Sequence, residues 1–240
     1  MKSSSELDPS LKGLSFLEII YKKIRDRSRR LLKPILAEIY LRKLTRYPSL
    51  ELLLNQYADS KSAAIDYADS LALFEQVLQR SPNYLLELGP GTSTAVICLA
   101  IKEIKNINPL YTPTFIAIEN QIDYIKYHKN LMPEDLKPYV NMIFRPASLK
   151  HYDGKLTAQY DEIPIHPYEF IHVDGPDNHG MGVNIQSDLM NIKDCLGDTC
   201  YIVFDGREAS SRFSRRYLDG FIFSRDRFTL NHILFRRKIS

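Results

Sequence analysis

The order of apolar and polar positions divides the chain near residue 82. Before that point apolar residues recur at helical spacing, most clearly over residues 14–46, where Lys and Arg clusters separate them. Pro34 interrupts the run, so the pattern predicts two amphipathic basic helices. Such helices contact an anionic membrane peripherally, bind a partner or cap the core. Because the helical pattern continues into the domain without a linker, it favours capping.

After residue 82 short apolar runs alternate with helical stretches, which is typical of a parallel sheet with crossover helices. The runs predict strands over residues 84–88, 114–119, 140–145, 170–174, 201–205, 221–224 and 232–236. Helices are predicted over residues 93–104, 122–130, 185–195 and 211–218. The last two strands are separated by a charged turn and predict an antiparallel pair. We therefore expect an α/β fold, a doubly wound Rossmann-like seven-stranded sheet over residues 70–240, preceded by an N-terminal tail and helices in residues 1–69.

Composition narrows the class of protein without naming a reaction. Residues 1–50 and 207–240 carry net charges of +7 and +6, and the middle of the chain carries −10, a split compatible with an anionic partner or with solvated helix faces. The three cysteines form no CxxC pair, which favours a reducing, cytoplasmic location over a disulfide framework. No signal-peptide core and no membrane-spanning run is recognised in the sequence.

The sequence ELGPGTST at residues 87–94 follows a predicted strand and opens a predicted helix. Gly89 and Gly91 permit a tight turn and a close backbone approach to a ligand, and the helix start offers unpaired N–H groups. This context predicts a site for a nucleotide-like ligand, although a purely structural turn also uses glycine. A dinucleotide fingerprint would have glycine at position 94, so Thr94 argues against a nicotinamide cofactor.

Glu119 ends the second predicted strand and is followed by Asn120. A carboxylate there can accept hydrogen bonds from both ribose hydroxyls of a nucleoside. It can equally cap the helix that follows. Because the glycine turn and Glu119 fall at the carboxyl ends of adjacent strands, where open α/β sheets bind ligands, ligand binding is the leading interpretation.

Together the glycine turn, Glu119, the strand end IHVDG at residues 171–175 and the closing strand pair resemble the class I S-adenosylmethionine-dependent methyltransferases over residues 70–240. The resemblance implies S-adenosylmethionine as cofactor and methyl transfer to a hydroxyl of a small molecule or sugar. It places Glu87 near the methionine moiety, Glu119 on the ribose, and Ala147 and Ser148 beside the adenine. The cofactor-binding residues it implies are Glu87, Gly89, Gly91, Ser93, Glu119, Asn120, Ala147, Ser148 and Asp174.

Asp174 and Asp205 end the fourth and fifth strands of the predicted parallel sheet. Asp174 is the first catalytic candidate, and the two carboxylates together are candidate ligands for a hard cation such as Mg²⁺. The pair resembles the metal-dependent O-methyltransferase branch, in which the metal lowers the pKa of the acceptor hydroxyl. That branch usually adds an Asp or Asn directly after the fifth-strand acid, where this chain has Gly206, and strand-end acids also cap helices. Metal binding stays an open alternative.

His179 is the candidate base, because it lies in the loop of residues 175–182 that follows Asp174. Arg207 follows Asp205 closely and either meets an anionic acceptor or is solvated at the rim. The Pro- and Tyr-rich residues 151–168 predict a hairpin or lid near the acceptor site.

The sequence after Asp174 lacks the Asn/Asp-Pro-Pro-Tyr/Phe motif of many nitrogen methyltransferases, which disfavours a nucleic-acid substrate. The alternative function is a non-catalytic cofactor-binding or scaffold protein that docks a partner or membrane through its basic helices. The oligomeric state is open.

Overall fold

The computed structural model describes residues 42–58, 66–176, 180–225, 229 and 231–236. Leu44–Ser240 form one compact unit, and only residues 42 and 43 are described of the unit before it. Most of the predicted basic helices of residues 14–46 therefore lie outside the described residues, together with the capping, partner binding or membrane contact considered for them. The domain boundary between residues 69 and 70 stays a prediction. Within the described ranges, no helix combines the length and the apolar character needed to cross a membrane.

Two helices precede the sheet. The first, α1 (Pro48–Ala58), begins at a proline, which suits a first helical turn because its missing N–H has no acceptor there. The second, α2 (Tyr67–Arg80), begins after Asp66, whose Oδ1 accepts the N–H groups of Ala68 at 3.0 Å and Asp69 at 3.3 Å. The apolar faces of both helices are buried, and both pack against the helix that follows the first strand.

Seven strands form one sheet in the order β3-β2-β1-β6-β7-β9-β8. They are β1 (Tyr84–Leu88), β2 (Thr114–Glu119), β3 (Asn141–Phe144), β6 (Phe170–Val173), β7 (Tyr201–Phe204), β8 (Phe221–Arg225) and β9 (His232–Arg236). The first five are parallel, whereas β9 runs antiparallel to both β7 and β8. This confirms the predicted seven-stranded sheet and its antiparallel C-terminal pair, with every strand end within one residue of the prediction.

The central strands are buried along almost their whole length, because helices cover both faces of a doubly wound parallel sheet. The covering helices include α3 (Thr92–Ile107) after β1 and α4 (Ile122–Leu131) after β2. The carboxyl ends of β1, β2, β6 and β7 consequently meet at one edge of the sheet, and this edge positions the site.

A two-stranded antiparallel hairpin joins β3 to β6. It consists of β4 (Ala147–Tyr152) and β5 (Lys155–Tyr160), and its turn residues Asp153 and Gly154 have φ values of 50° and 70°. Such an Asp-Gly turn matches the right-handed twist of the two strands. The predicted hairpin in residues 151–168 is thus present, but it begins four residues earlier than predicted.

The predicted helix over residues 185–195 is shorter in the structure. Helix α5 (Asp188–Ile192) and a 3₁₀ turn (Lys193–Cys195) cover only its second part. The reason is that Ile185 accepts the N–H of Ala158 at 2.8 Å, and Ser187 donates to the carbonyl of Ala158 at 3.1 Å. The backbone of this segment therefore pairs with the hairpin before the helix begins. The last helix, α6 (Glu208–Ser214), follows β7.

Candidate active site

The turn after β1 touches the loop after β6 through backbone atoms alone. Gly89 has a φ of +88°, and the carbonyl of Leu88 accepts the N–H groups of Asp174 at 2.8 Å and Gly175 at 2.5 Å. A Cβ built on Gly175 would lie 2.5 Å from the Cα of Gly89. No side chain fits at that distance, so both positions require glycine. The contact fixes the glycine turn against the loop that carries Asp174.

Glu87 is fully buried beneath this turn. Its two carboxylate oxygens accept hydrogen bonds from Ser93 Oγ and Thr94 Oγ1, each at 2.6 Å. Thr94 Oγ1 also accepts the N–H of Gly91 at 2.9 Å, so the residue that departs from the dinucleotide fingerprint closes the turn with its side chain. Glu87 thus holds the shape of the turn, and its contact with a methionine moiety stays a prediction.

His172 is a buried cation beside Glu87. Its Nδ1 lies 3.2 Å from Glu87 Oε1, which makes an ion pair without the alignment of a hydrogen bond. Burial would lower the pKa of His172, but the nearby carboxylates of Glu87, Asp205 and Asp174 outweigh it and raise the pKa to about 9. His172 therefore carries a proton at neutral pH and is unsuited to act as a base.

Glu119 is almost completely buried at the end of β2, and its Oε1 accepts the N–H groups of Asn120 and Gln121, both at 2.8 Å. Glu119 thus stabilises the turn before α4 without capping the helix itself, and its predicted contact with a ribose stays a prediction. Beside it, Asn120 Oδ1 is buried without a hydrogen-bond partner. A buried acceptor of this kind is normally satisfied by a ligand or by water, so this corner can still receive polar groups.

An open cleft of about 270 Å³ lies against the glycine turn. Gly91 lines it, and a Cβ built there would meet only Ser93 Oγ, at 3.8 Å. Thr92 Oγ1 is buried in the same wall without a hydrogen-bond partner. The turn therefore presents open backbone to the cleft at Gly91, with the buried Thr92 hydroxyl beside it. The polar side chains that line the rest are Asp66, Asp69, Ser70, Gln76, Tyr124, His172, Asp174, Tyr201, Asp205, Thr229 and Asn231.

Asp174 carries the carboxylate at the carboxyl end of β6, and 47% of its side chain is exposed. The surrounding protein partly desolvates the Asp174 carboxylate, and this effect together with the negative charge of Asp205 raises its pKa to about 6. The positive charges of His172 and Arg207 oppose this increase. Solvent screens part of this effect because the side chain is half open to water. Asp174 is therefore ionised at neutral pH and more basic than an ordinary aspartate.

Arg207 is ion-paired with Asp174, an arrangement that the sequence did not predict. Its Nη2 lies 3.4 Å from Asp174 Oδ1 and also donates to the backbone carbonyl of Asp174, and its Nη1 donates to the carbonyl of Pro176 at 3.4 Å. Arg207 is partly exposed and is not among the residues that line the cleft.

The residues at the two strand ends do not fit the predicted magnesium site. Asp174 and Asp205 both line the cleft, but Gly206 offers no side-chain oxygen and the Arg207 guanidinium is already paired with Asp174. Across the described ranges, no group of three or more His, Cys, Asp or Glu side chains is placed to hold a metal ion. A divalent cation needs several oxygen ligands, and a guanidinium at one of two carboxylates repels it.

The remaining predicted residues are separated from the cleft or outside the described part of the chain. Ala147 and Ser148 begin β4, and Ser148 Oγ donates to Asp161 Oδ1 at 2.6 Å. Their predicted position beside an adenine stays a prediction. His179, the predicted base, lies outside the described residues.

Sequence reasoning missed the wall of the cleft that α2 and β9 supply. Asp66, Asp69 and Ser70 belong to the start of α2, and Asn231 Nδ2 donates to Asp69 Oδ1 at 3.2 Å. Asp66 could have been recognised as a helix N-cap from its position before an apolar helical run. Nothing in the sequence indicated that this cap would face residues from the far end of the chain.

No family model and no curated protein matches this chain by sequence. Solved structures match its fold. A methyltransferase from Geobacter sulfurreducens has a TM-score of 0.52 at 10% identity, and the match covers 79% of this chain and 90% of that one. A protein assigned as a caffeoyl-CoA O-methyltransferase from Staphylococcus aureus has a TM-score of 0.54 at 12% identity, covering 84% and 100%. One assigned as an O-methyltransferase from Klebsiella pneumoniae has a TM-score of 0.51 at 11% identity, covering 83% and 96%.

At these identities the likeness is one of fold. Each match extends over about four fifths of this chain, between 79% and 84%. The chain therefore has the fold of the class I S-adenosylmethionine-dependent methyltransferases, which confirms for the fold the resemblance drawn from the sequence.

Proposed function

We propose that this protein transfers a methyl group from S-adenosylmethionine to a hydroxyl of a small molecule or sugar. The observation that carries the proposal is the wall of the cleft, where the open backbone of the glycine turn faces Asp174 and Asp205. The neighbours in fold support it, since all three are named as methyltransferases and two as O-methyltransferases.

The chemistry of the cleft suits the cofactor. S-adenosylmethionine brings a sulfonium cation and an ammonium group, and the carboxylates of Asp174 and Asp205 favour positive charge beside the turn. The buried and unsatisfied Thr92 Oγ1 and Asn120 Oδ1 offer hydrogen bonds to polar groups of a nucleoside. Gly91 allows a ligand to approach the backbone closely because no side chain stands in the way.

In the proposed reaction the S–CH₃ bond breaks as the O–CH₃ bond forms in line with it. The sulfonium becomes a neutral thioether, the hydroxyl becomes a methyl ether, and the hydroxyl proton is released. Asp174 is the candidate to accept this proton, because it is ionised at neutral pH and its raised pKa of about 6 makes it a better base than an ordinary aspartate. His179 remains a predicted base. Holding the two substrates in line supplies most of the acceleration.

The charges around the cleft also bear on the acceptor. Asp66, Asp69, Asp174 and Asp205 line it, and His172 is its only cationic lining residue among those described. This balance disfavours acceptors that carry phosphate or carboxylate groups and favours neutral or cationic hydroxyl compounds. The described residues do not support the predicted assistance by a divalent metal, because Arg207 already pairs with Asp174. The cytoplasmic location stays a prediction.

Calorimetric titration with S-adenosylmethionine and S-adenosylhomocysteine, with NAD as a negative control, tests the cofactor. Gly91→Leu should abolish binding, because the leucine side chain enters the cleft while the backbone at Gly91 is extended and tolerates a side chain. Thr112→Leu is the matched control, since it adds the same side chain at an exposed position before β2, at the opposite edge of the sheet.

Formation of S-adenosylhomocysteine in a screen of neutral and cationic hydroxyl compounds then tests methyl transfer. The proposal is wrong if the folded protein binds neither adenosyl ligand. Binding without turnover of any acceptor would favour the non-catalytic alternative.

A further inference from the structure

The Asp174 carboxylate is paired with a cation of the chain itself, the Arg207 guanidinium. Arg207 contacts Asp174 twice, once at the carboxylate and once at the backbone carbonyl, and it also contacts the carbonyl of Pro176. The Arg207 side chain is 20% exposed, whereas the Asp174 side chain that it contacts is about half exposed. The Arg207 guanidinium thus has three oxygen acceptors, two on Asp174 and one on Pro176.

The local sequence explains how the guanidinium reaches this place. Asp205 directly follows β7, and Gly206 comes next with a φ of +62°, which turns the chain before Arg207, the N-cap of α6. A Cβ on Gly206 would have nothing within 4 Å, so this glycine is required by its backbone conformation and not by crowding. The Asp205–Gly206–Arg207 sequence thus replaces a potential oxygen ligand by a turn and supplies a cation immediately after it.

Arg207 contacts a carboxylate that lines the cleft, and Arg207 itself is not among the lining residues. Because the guanidinium is bound to Asp174, its effect on an acceptor passes through Asp174, which makes Arg207 a positioning residue. Gln186 Nε2 shares the carbonyl of Pro176 at 3.1 Å, so two side chains brace the loop that carries Asp174.

We propose that Arg207 holds Asp174 in the position that a divalent cation would otherwise stabilise, and that methyl transfer in this protein is independent of metal. The inference rests on the proposed methyl transfer and narrows its acceptors. A bound metal with open positions orients an acceptor through its oxygens and so selects compounds with two adjacent oxygens that can chelate it. Without the metal, an acceptor needs only one hydroxyl in line with the methyl group.

The test measures Mn²⁺ binding by electron paramagnetic resonance to the full chain, so it does not depend on turnover. The wild-type protein should show no saturable Mn²⁺ binding. Arg207→Gln, which removes the charge and keeps a polar side chain of similar length, should create saturable binding at Asp174 and Asp205. Arg207→Lys should restore the absence of binding, and Asp174→Asn in the Arg207→Gln background should remove the new site. Thermal melting of each variant verifies that it is folded.

A role of Arg207 confined to folding would leave Mn²⁺ binding unchanged in Arg207→Gln, and that result would overturn the proposal. Saturable Mn²⁺ binding to the wild-type protein that Asp205→Asn removes would also overturn it. Titration of the wild-type protein with S-adenosylhomocysteine in excess EDTA is the second measurement. The affinity should not change when EDTA is added. Loss of affinity in EDTA contradicts the inference alone, whereas no binding with or without EDTA contradicts the proposed function itself.

Discussion

The acidic residues at the sheet edge fall into two groups that differ in burial and in the groups that contact their carboxylates. Glu87 and Glu119 are buried, and their oxygens accept hydrogen bonds from groups of the chain's own turns. Asp174 and Asp205 stand at the cleft, and the Asp174 side chain is half exposed. The buried acids maintain the frame, while the open acids remain available to a ligand. Substitutions in the first group should therefore act on stability, and those in the second on chemistry.

The largest effect is expected at Glu87. Glu87→Ala removes the acceptor of Ser93 and Thr94 and leaves the His172 cation buried without its closest counter-charge. Breaking one partner of a buried pair costs about 3–5 kcal/mol, so we expect a loss of that order in the free energy of unfolding, measured with urea. The double variant Glu87→Ala/His172→Ala should be less destabilised than the sum of its two single variants. Additive losses would contradict the importance of the ion pair.

Asp188 extends the comparison, because it is a buried acid of which only one carboxylate oxygen has a hydrogen-bond partner. Its Oδ1 accepts the N–H of Tyr160 at 2.7 Å, but its Oδ2 is buried without a partner. Burial raises the pKa of Asp188 from its ordinary value of 3.8 to about 7. The folded state therefore keeps a proton that the unfolded state releases. The stabilisation is fully present below pH 3.8 and is lost as the pH rises to about 7.

Asp188→Asn should remove this pH dependence, because the amide keeps an acceptor for Tyr160 and never ionises. Above pH 7 the variant should be more stable than the wild-type protein. The difference in the free energy of unfolding should be up to about 4 kcal/mol, because the pKa of Asp188 is about 7 in the folded protein and 3.8 in the unfolded chain. Urea unfolding at a series of pH values from 4 to 8 measures the difference between the two proteins. Parallel stability curves would show that Asp188 does not titrate in this range.

The variant Glu119→Gln tests whether one of the buried acids also contacts the ligand. Glu119→Gln keeps an oxygen acceptor for the N–H groups of Asn120 and Gln121 but loses the negative charge. If the second oxygen receives the ribose hydroxyls, affinity for S-adenosylhomocysteine should fall about 10-fold or more, because hydrogen bonds to charged groups contribute about 1.5–3 kcal/mol. Calorimetry on the folded variant measures it. Unchanged affinity would assign Glu119 to the frame alone.

The smallest change in the free energy of unfolding is expected for a surface ion pair that belongs to neither group of acidic residues. Lys126 Nζ lies 3.0 Å from Asp123 Oδ1 on α4, and both side chains are largely exposed. Lys126→Ala should change the free energy of unfolding by less than about 0.5 kcal/mol, since solvent screens the pair. It serves as the reference for the Glu87 variants in the same urea series.

The fold was predictable from the sequence because the buried parallel strands are short apolar runs with clear helical stretches between them. The exceptions have physical causes. The helix predicted from residue 185 begins later because the backbone of Ile185 and Ser187 pairs with the hairpin, a contact between segments that local periodicity does not report. The beginning of the hairpin at Ala147 was missed because its Ala-Ser start carries little strand signal.

The candidate site was predictable only in part. Strand ends located Glu87, Glu119, Asp174 and Asp205, since parallel strands bring their carboxyl ends to one edge. The residues that these acids contact were not predictable. The protonation of His172 depends on its distance from Glu87. The ion pair of Arg207 with Asp174 depends on the turn at Gly206. The same limit applies to Asp69 and Asn231, which meet only because α2 packs near the last strand.

The contact between Gly89 and Gly175 has an evolutionary consequence. Neither glycine can acquire a side chain while the other loop stays where it is, so a substitution at one position cannot be rescued by a second substitution at its partner. Both positions should therefore remain glycine in related proteins, even where the hairpin and the helices between them vary. A sequence pattern that requires both glycines at the ends of their strands should consequently detect distant relatives of this chain that overall sequence identity does not reveal.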